Sequence, residues 1–401
     1  MNLNFKNNKA KIIIGLLLVA IVTMVTMCCT KDNPFVPPNP PVDEPYWDHF
    51  LVMDNTFLNF ITNSTVVYNR LICTVRDGLM MIDDLSSGQV AYLKPLYSNS
   101  TGYDCVPILS NEAVVYTQRF MQNMIIFNNY HIYLMNAASI QPRDIEEQFK
   151  DYFFYTDVPF QNTFGAMNSQ NRFVTVITDR EHPSGRNNVV VYSDIVVHSS
   201  GVTEITNSGY WTISSMLGSR LSITDIFAYQ DKFYIAYTRN EAPDTGNFYI
   251  EISANGSMRE FRDTFDRGIL VYSFFEYKGV LFAQTTDRML RYTHDGENWN
   301  AAVGLNPVVN TYKEIDDYIF VHSADNIIII SEIFHDVKMY RLPKENMVGV
   351  AIRSINKFHD DLVITTSHGI FYKSFEDVMN DKELIFPLGR GAYIDLEGDF
   401  L

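Results

Sequence analysis

Residues 361–373 read DLVITTSHGIFYK, and three other stretches align with them without a gap: 70–82 (RLICTVRDGLMMI), 280–292 (VLFAQTTDRMLRY) and 318–330 (YIFVHSADNIIII). Each begins with an apolar run rich in Val, Ile, Leu and Phe, passes through more polar residues, and resumes as a second apolar run. The break falls at His368-Gly369, Asp77-Gly78, Asp287-Arg288 or Asp325-Asn326. Asp, Asn and Gly tolerate positive φ, so such a break suits a tight hairpin whose twist matches its strands. A polar pair often precedes the first run, as at Lys278-Gly279, Asp316-Asp317 and His359-Asp360.

Working outward, Phe173–Thr178 with Val189–Tyr192, and Phe233–Thr238 with Phe248–Glu251, repeat the pattern around longer loops, and a weaker copy spans Ala113–Phe127. Hairpins therefore begin near 71, 114, 173, 233, 281, 319 and 362, at intervals of 38 to 60 residues. That is the size of a four-stranded propeller blade. A single such sheet cannot bury both faces, whereas radial packing buries each against the next. The expectation is an all-β fold, a seven-bladed β-propeller, with six or eight blades as alternatives. Two stacked β-sandwiches would also give regular short strands, but not one ungapped hairpin four times. The strand-like segments near Leu51–Phe60 and Leu384–Leu396 are expected to share the blade that closes the ring. Helix is expected only in short pieces, at Arg143–Tyr152 and Phe375–Lys382.

Upstream the composition changes. Residues 1–11 are polar and basic, and 12–27 (IIIGLLLVAIVTMVTM) form an uncharged run of sixteen, ending at Cys28-Cys29. This has the form of a secretory signal and is short for a membrane span. The run and the following Thr30-Lys31-Asp32 resemble the lipobox of Bacteroides-type bacterial lipoproteins. The resemblance implies cleavage and acylation of one cysteine. Cys29 is favoured because Cys28 is then the small residue before it; Cys28 is the alternative, with the bulkier Met27 before it. Multiple acyl chains at ~0.8 kcal/mol per buried CH₂ make an effectively permanent anchor. Residues 33–45 (NPFVPPNPPVDEP) contain six prolines, the composition of an extended tether. The expected organisation is signal 1–28, lipidated cysteine and tether 29–45, and propeller 46–401.

Thr293–Trp299 reads THDGENW. It resembles a shortened Asp-box of the bacterial-neuraminidase-repeat propellers, with Thr293, Asp295, Gly296 and Trp299 matching in type and one residue fewer in the spacing. The resemblance implies a structural role, the Asp capping a turn and the Trp packing between strands, and says nothing of activity.

The formal charge of −16 repels phosphate backbones, so nucleic acid is not an expected partner. No Arg-Ile-Pro segment or readable arginine triad supports a sialidase. The nine histidines form no zinc-spaced pair, and no phosphate loop or GxSxG elbow occurs. No catalytic residue, metal or cofactor is assigned. Adjacent acids (Asp83-Asp84, Glu146-Glu147, Asp316-Asp317, Asp360-Asp361) read as solvated turns rather than a glycosidase pair. Cys73 and Cys105 are left open as a disulfide. Among the aromatics, Trp211 in the loop-like NSGYWT is the candidate for stacking on a ligand, and the long hairpin loops 179–188 and 239–247 are further candidates. The functional expectation is a membrane-anchored, extracytoplasmic binding or scaffolding propeller on the outer membrane, facing the periplasm or the exterior, with a glycan or envelope protein as ligand. The alternatives are a glycoside hydrolase or lyase on the same fold, and an assembly factor that recruits clients by an exposed edge or apolar patch.

Overall fold

A computed structural model describes residues 46–51, 60–67, 69–75, 78–93, 100–108, 113–121, 128–136, 142–144, 165–179, 187–198, 203–217, 221–239, 246–262, 269–306, 311–322, 326–334, 337–347, 349–388 and 393–395. The leader, Cys28, Cys29 and the tether lie outside them. Residues from Trp47 onward form one compact unit.

That unit is an all-β propeller. Among the described residues seven antiparallel sheets follow one another along the chain: 61–93, 100–144, 165–217, 221–262, 271–306, 311–341 and 352–374. Each is an up-and-down meander. The seven hairpin starts read from sequence coincide with the second strands, at Arg70–Val75, Ala113–Met121, Arg172–Asp179, Lys232–Arg239, Val280–Thr285, Tyr318–His322 and Asp361–Thr366.

Second and third strands read as unbroken apolar runs because both faces are buried. In Ile327–Ile330, Ile328 and Ile330 pack with Phe275, Phe282 and Leu290 of the preceding sheet. Ile327 and Ile329 pack with Ile352, Leu362 and Ile364 of the next. The same alternation recurs in Leu362–Ile364, where Val363 joins the seam with Leu71 and Val75 of the first sheet. Polar pairs join first and second strands. The expected Lys278-Gly279, and also Gln230-Asp231, which the sequence reading did not single out, have positive φ at both positions, the two-residue turn that suits strand twist.

Closure differs from expectation. Asp48–Phe50 supplies the outer strand of the last sheet, with Asp48 opposite Tyr372, His49 opposite Phe371 and Phe50 opposite Ile370; of the segment Leu51–Phe60 expected there, residues 52–59 lie outside the described residues. Glu383–Leu388 instead adds an antiparallel fifth strand to the sixth sheet. Tyr393–Asp395 adds a parallel fifth strand to the fifth sheet. The physical reason is Trp47. It is 1% exposed, sits in the seam between the sixth and seventh sheets, and donates its indole N–H to Pro343 O at 3.2 Å. Asn346 donates to the Trp47 carbonyl at 2.9 Å. This plug sets the next three residues beside Gly369–Ser374 before residue 51 is reached.

A helix at Phe375–Asp381 matches the expected one and is capped by Ser374 Oγ, which accepts from Asp377 N. The other expected helix begins as strand, at Pro142–Asp144; its remainder lies outside the described residues. Cys73 is a free, fully buried thiol whose pKa burial pushes up, so the disulfide left open is not formed.

Candidate functional site

The innermost strands all run in one direction, so their first residues share a rim with the ends of the second strands and the starts of the third. The connections between successive sheets and the longer hairpin loops, including 179–188 and 239–247, leave from this rim; most of those two loops lies outside the described residues.

At this rim the innermost strands carry a repeated irregularity. The ladder skips one residue at Thr62, Tyr103, Thr224, Tyr272 and Arg353. A polar residue follows each bulge: Asn63, Asp104, Asp225, Ser273 and Ser354. A bulge frees the next backbone N–H from the ladder and bends the strand, and a short acceptor side chain can take up that N–H. Asn63 Oδ1 accepts from Ser64 N at 2.7 Å, and Asp225 Oδ1 accepts from Ile226 N at 2.9 Å.

Two of these polar residues, Asp225 and Ser354, also tie neighbouring sheets together. Asp225 Oδ2 accepts from Phe274 N of the next sheet at 2.5 Å, and Thr224 Oγ1 donates to Val271 O at 2.8 Å. Between the last and first sheets, Ser64, Ser354 and Thr365 form a buried hydroxyl cluster. Thr365 Oγ1 lies 2.5 Å from Ser354 Oγ and 3.1 Å from Ser64 Oγ, and Ser64 also meets Ser354. Asn356 Nδ2 donates to Ser64 Oγ at 2.8 Å. The Ser273 hydroxyl, by contrast, is buried without a hydrogen-bond partner. Above this layer, Phe60 is 40% exposed and the exposed Arg353 holds its guanidinium 5.9 Å from the Phe60 ring. At the same rim, in the fifth sheet's hairpin, Asp287 takes both Arg291 nitrogens, at 2.7 and 2.5 Å. Burial raises the Asp287 pKa, but Arg291 and Thr285 outweigh it and the net direction is down.

The opposite rim carries the tight turns. Tyr229 and Tyr277, each the last residue of an innermost strand, donate to Gly279 O (2.7 Å) and Asp317 O (2.8 Å) of the next sheet's turn. Of the acid pairs singled out in the sequence, three lie here as turns. Asp83 pairs with Arg70 and Asp316 with Lys357. Asp84 takes the Ser86 hydroxyl and amide, which lower its pKa. Asp361 is raised by burial and by Asp360 and Asp48. Glu146-Glu147 lie outside the described residues. Glu276 is likewise raised, by burial first and then by Glu314. Among the described residues no group of three His, Cys, Asp or Glu is placed to hold a metal.

Thr293–Trp299 joins the third and fourth strands of the fifth sheet. Asp295 Oδ1 accepts from the Glu297 and Asn298 amides, both at 2.8 Å, and from Thr293 Oγ1 at 2.8 Å, while Thr293 Oγ1 accepts from Gly296 N at 3.0 Å. These bonds hold the Asp295 carboxyl well below the usual carboxylate range. Gly296 has φ +78°, and a Cβ there would come within 2.6 Å of the Tyr234 hydroxyl. Trp299 donates to Tyr249 Oη at 3.1 Å and packs beside the seam between the fourth and fifth sheets.

Trp211 is not in a loop. It lies in the strand Thr203–Leu217, the outer strand of the third sheet. Its ring is half-buried, stacks on Tyr192 at 4.5 Å and abuts the turn at Gly256. The loop reading failed because Asn207-Ser208-Gly209 looks like a turn, whereas Gly209 is needed where the Tyr192 ring crosses it: a Cβ would meet Tyr192 Oη at 2.5 Å. The sequence reading also missed Asp225, whose one signal is an acid inside the otherwise strand-like LSITDIFAY, and the Ser64–Ser354–Thr365 cluster.

Fold and rim together define the class as a β-propeller. No known family matches the chain, and no curated protein matches it. Among solved structures it is similar to a streptogramin B lyase (12% identity, 82% of this chain and 96% of the other, TM-score 0.46). It is also similar to the extracellular domain of a hybrid two-component system from B. thetaiotaomicron (11%, 81% and 39%, TM-score 0.47), and to BamB from Moraxella catarrhalis (12%, 76% and 80%, TM-score 0.39).

Proposed function

We propose that this chain is an exported, lipid-anchored binding propeller, seven-bladed, with Cys29 (alternatively Cys28) acylated and residues 33–45 as its tether. The ligand is a glycan or an envelope protein, and it meets the rim on which the innermost strands begin. The observation that carries this reading is the chemistry of that rim. Its buried layer, among the described residues, is neutral hydroxyl and amide, in Ser64, Ser354, Asn356 and Thr365. Among the described residues its buried carboxylate, Asp225, is committed to two backbone amides. A rigid, hydrogen-bonded base under an exposed Phe60–Arg353 pair suits recognition, since aromatic and arginine groups are favoured contact residues. We place binding there rather than at Trp211, whose ring is engaged by Tyr192. The Thr293–Trp299 turn we read as an Asp-box with a structural role.

The second reading, a carbohydrate-active enzyme, rests on Glu276, whose pKa is raised near a second carboxylate, Glu314. One experiment separates the two. The full chain in detergent is tested on a glycan array and against envelope proteins, and is incubated with the glycans it retains. Retention lost in Phe60→Ala and Arg353→Ala but kept in Glu276→Gln supports the binding reading. Cleavage of a retained glycan that Glu276→Gln abolishes overturns it. Labelling with radioactive palmitate that is lost in Cys29→Ala, and kept in Cys28→Ala, tests the anchor.

A further inference from the structure

The outer strand of a propeller sheet is an open edge, and proteins usually blunt such edges with short strands, charges or proline. Six of the seven sheets follow that rule. The outer strands of the first, second and seventh are three residues long, at Ala91–Leu93, Pro142–Asp144 and Asp48–Phe50. The fourth ends in Met258–Arg262, with two arginines and a glutamate in five residues. The fifth and sixth are covered by the chain's own Tyr393–Asp395 and Glu383–Leu388.

The third sheet breaks the rule. Its outer strand, Thr203–Leu217 (TEITNSGYWTISSML), is fifteen residues long and contains no Lys, Arg or Pro and only one acid, Glu204. Among the described residues no strand pairs with its outer side. Its regular part, Asn207–Thr212, lies between two irregularities of the ladder with its inner neighbour.

We propose that this edge pairs antiparallel with the same edge of a second copy of the chain, about a two-fold axis through Tyr210. Antiparallel self-pairing requires a strand that complements its own reverse, and this one does. Tyr210 meets Tyr210 of the copy, and Ser208 meets Thr212 on either side. All three are exposed and share one face of the strand, leaving Trp211 to its contacts with Tyr192. Aromatic pairs and Ser–Thr pairs are favourable across strands, and no like charges are opposed over Ser208–Thr212. The fifth strands of the fifth and sixth sheets provide precedent within the fold, since two of its edges already accept an added strand. This dimer is independent of the ligand proposed above, because it uses the outer edge of one sheet and not the rim.

The test is sedimentation of the full chain in detergent over a range of concentrations, together with cysteine cross-linking against the parent chain under the same oxidation. A concentration-dependent dimer is expected. Tyr210→Cys should cross-link to itself, since directly opposed Cβ atoms are about 4.5–5.5 Å apart. Ser208→Cys should not, since in this register the two copies of residue 208 are four residues, ~14 Å, out of step. A mixture of Ser208→Cys and Thr212→Cys chains should cross-link. Tyr210→Lys, at an exposed position, should weaken the dimer about tenfold or more, with circular dichroism unchanged. A monomer at every concentration overturns the proposal. So does a dimer indifferent to Tyr210→Lys that cross-links at neither register. Protection of the 206–212 amides from hydrogen exchange only when envelope extract is added would assign the edge to a different protein's strand, and would also overturn it.

Discussion

Replacing Trp47 by alanine tests how the ring is held shut. The strand that closes it has only three ladder positions, too few to hold two sheets together. The holding element is the preceding side chain, 1% exposed and packed in the seam with Ile315, Leu342, Met347, Ile352 and Val378. Removing a buried tryptophan costs about 3–5 kcal/mol. Leaving the Pro343 carbonyl without its indole donor adds roughly 1 kcal/mol. The expected loss of about 4–6 kcal/mol is a large part of the 5–15 kcal/mol typical of a folded domain. Trp47→Phe keeps most of the apolar contact and loses the hydrogen bond, so it should cost about 1–2 kcal/mol. Urea unfolding followed by far-UV circular dichroism measures the totals. Hydrogen exchange at Gly369–Ser374, the strand that Asp48–Phe50 covers, measures the local effect and should rise in Trp47→Ala before any global unfolding. A loss under about 1 kcal/mol, with exchange at Gly369–Ser374 unchanged, would mean that the ring is closed by something other than this plug.

Asp225→Ala leaves the Ile226 and Phe274 amides buried without an acceptor and should cost about 2–4 kcal/mol by urea unfolding, while Asp225→Asn, which keeps one acceptor oxygen, should cost less. Gly296→Ala combines a left-handed backbone with a Cβ 2.6 Å from Tyr234 Oη and should lower stability by roughly 2–3 kcal/mol, seen as a lower urea midpoint with unchanged fold. The pH dependence should have two limbs. Asp194, held down by its bond to Arg172, and Asp295 and Asp287, also lowered, stabilise the fold above the unfolded carboxylate value of about 4 and lose that contribution as pH falls through their depressed values. Glu276 and Asp361 are raised by burial and like charges, so protonating them on the way down from pH 7 should slightly raise the urea midpoint before the acid limb begins. Glu276→Gln with Asp361→Asn should flatten that rise and leave the acid limb in place; a rise that survives both substitutions would point to the overall −16 charge instead.

What the sequence disclosed follows from which strands are buried on both faces. Second strands such as Val280–Thr285 (all six residues buried) touch both neighbouring sheets, so their apolar runs stand out, and all seven were located. Outer strands carry no such mark. Asp48–Phe50 is three residues, two of them polar and exposed, and its place is set by Trp47, whose partners lie some 300 positions away. Leu384–Leu396 was legible as strand but not as a cap on two earlier sheets, because its partners Val337–Arg341 and Gly304–Asn306 are chosen by edge availability rather than by local pattern. The polar rim was illegible for a similar reason. Ser64 meets Ser354 across 290 positions, and serines in strands carry no periodic signal.

The recurrence of the bulge suggests why the rim could be built this way. A strand bent at the same point in five sheets turns its backbone where the connecting loops begin, and a following Asn or Asp absorbs the amide that the bend releases. Where that side chain also reaches the next sheet, as Asp225 does to Phe274, one residue both stabilises the bend and fixes the spacing of two sheets. The base of the rim is then held by short, buried side chains that belong to the strands and not to the loops. Loops over such a base are free to differ in length and composition at little cost to the ring, as the short Thr286–Arg288 turn and the long 239–247 loop do in adjacent sheets. On this argument specificity resides in the loops and in exposed groups such as Phe60 and Arg353. Exchanging those side chains should change what is bound while leaving the urea midpoint within about 0.5 kcal/mol of the parent. A matched loss of binding and stability on Arg353→Ala would show that the rim's base and its contact surface are not separable.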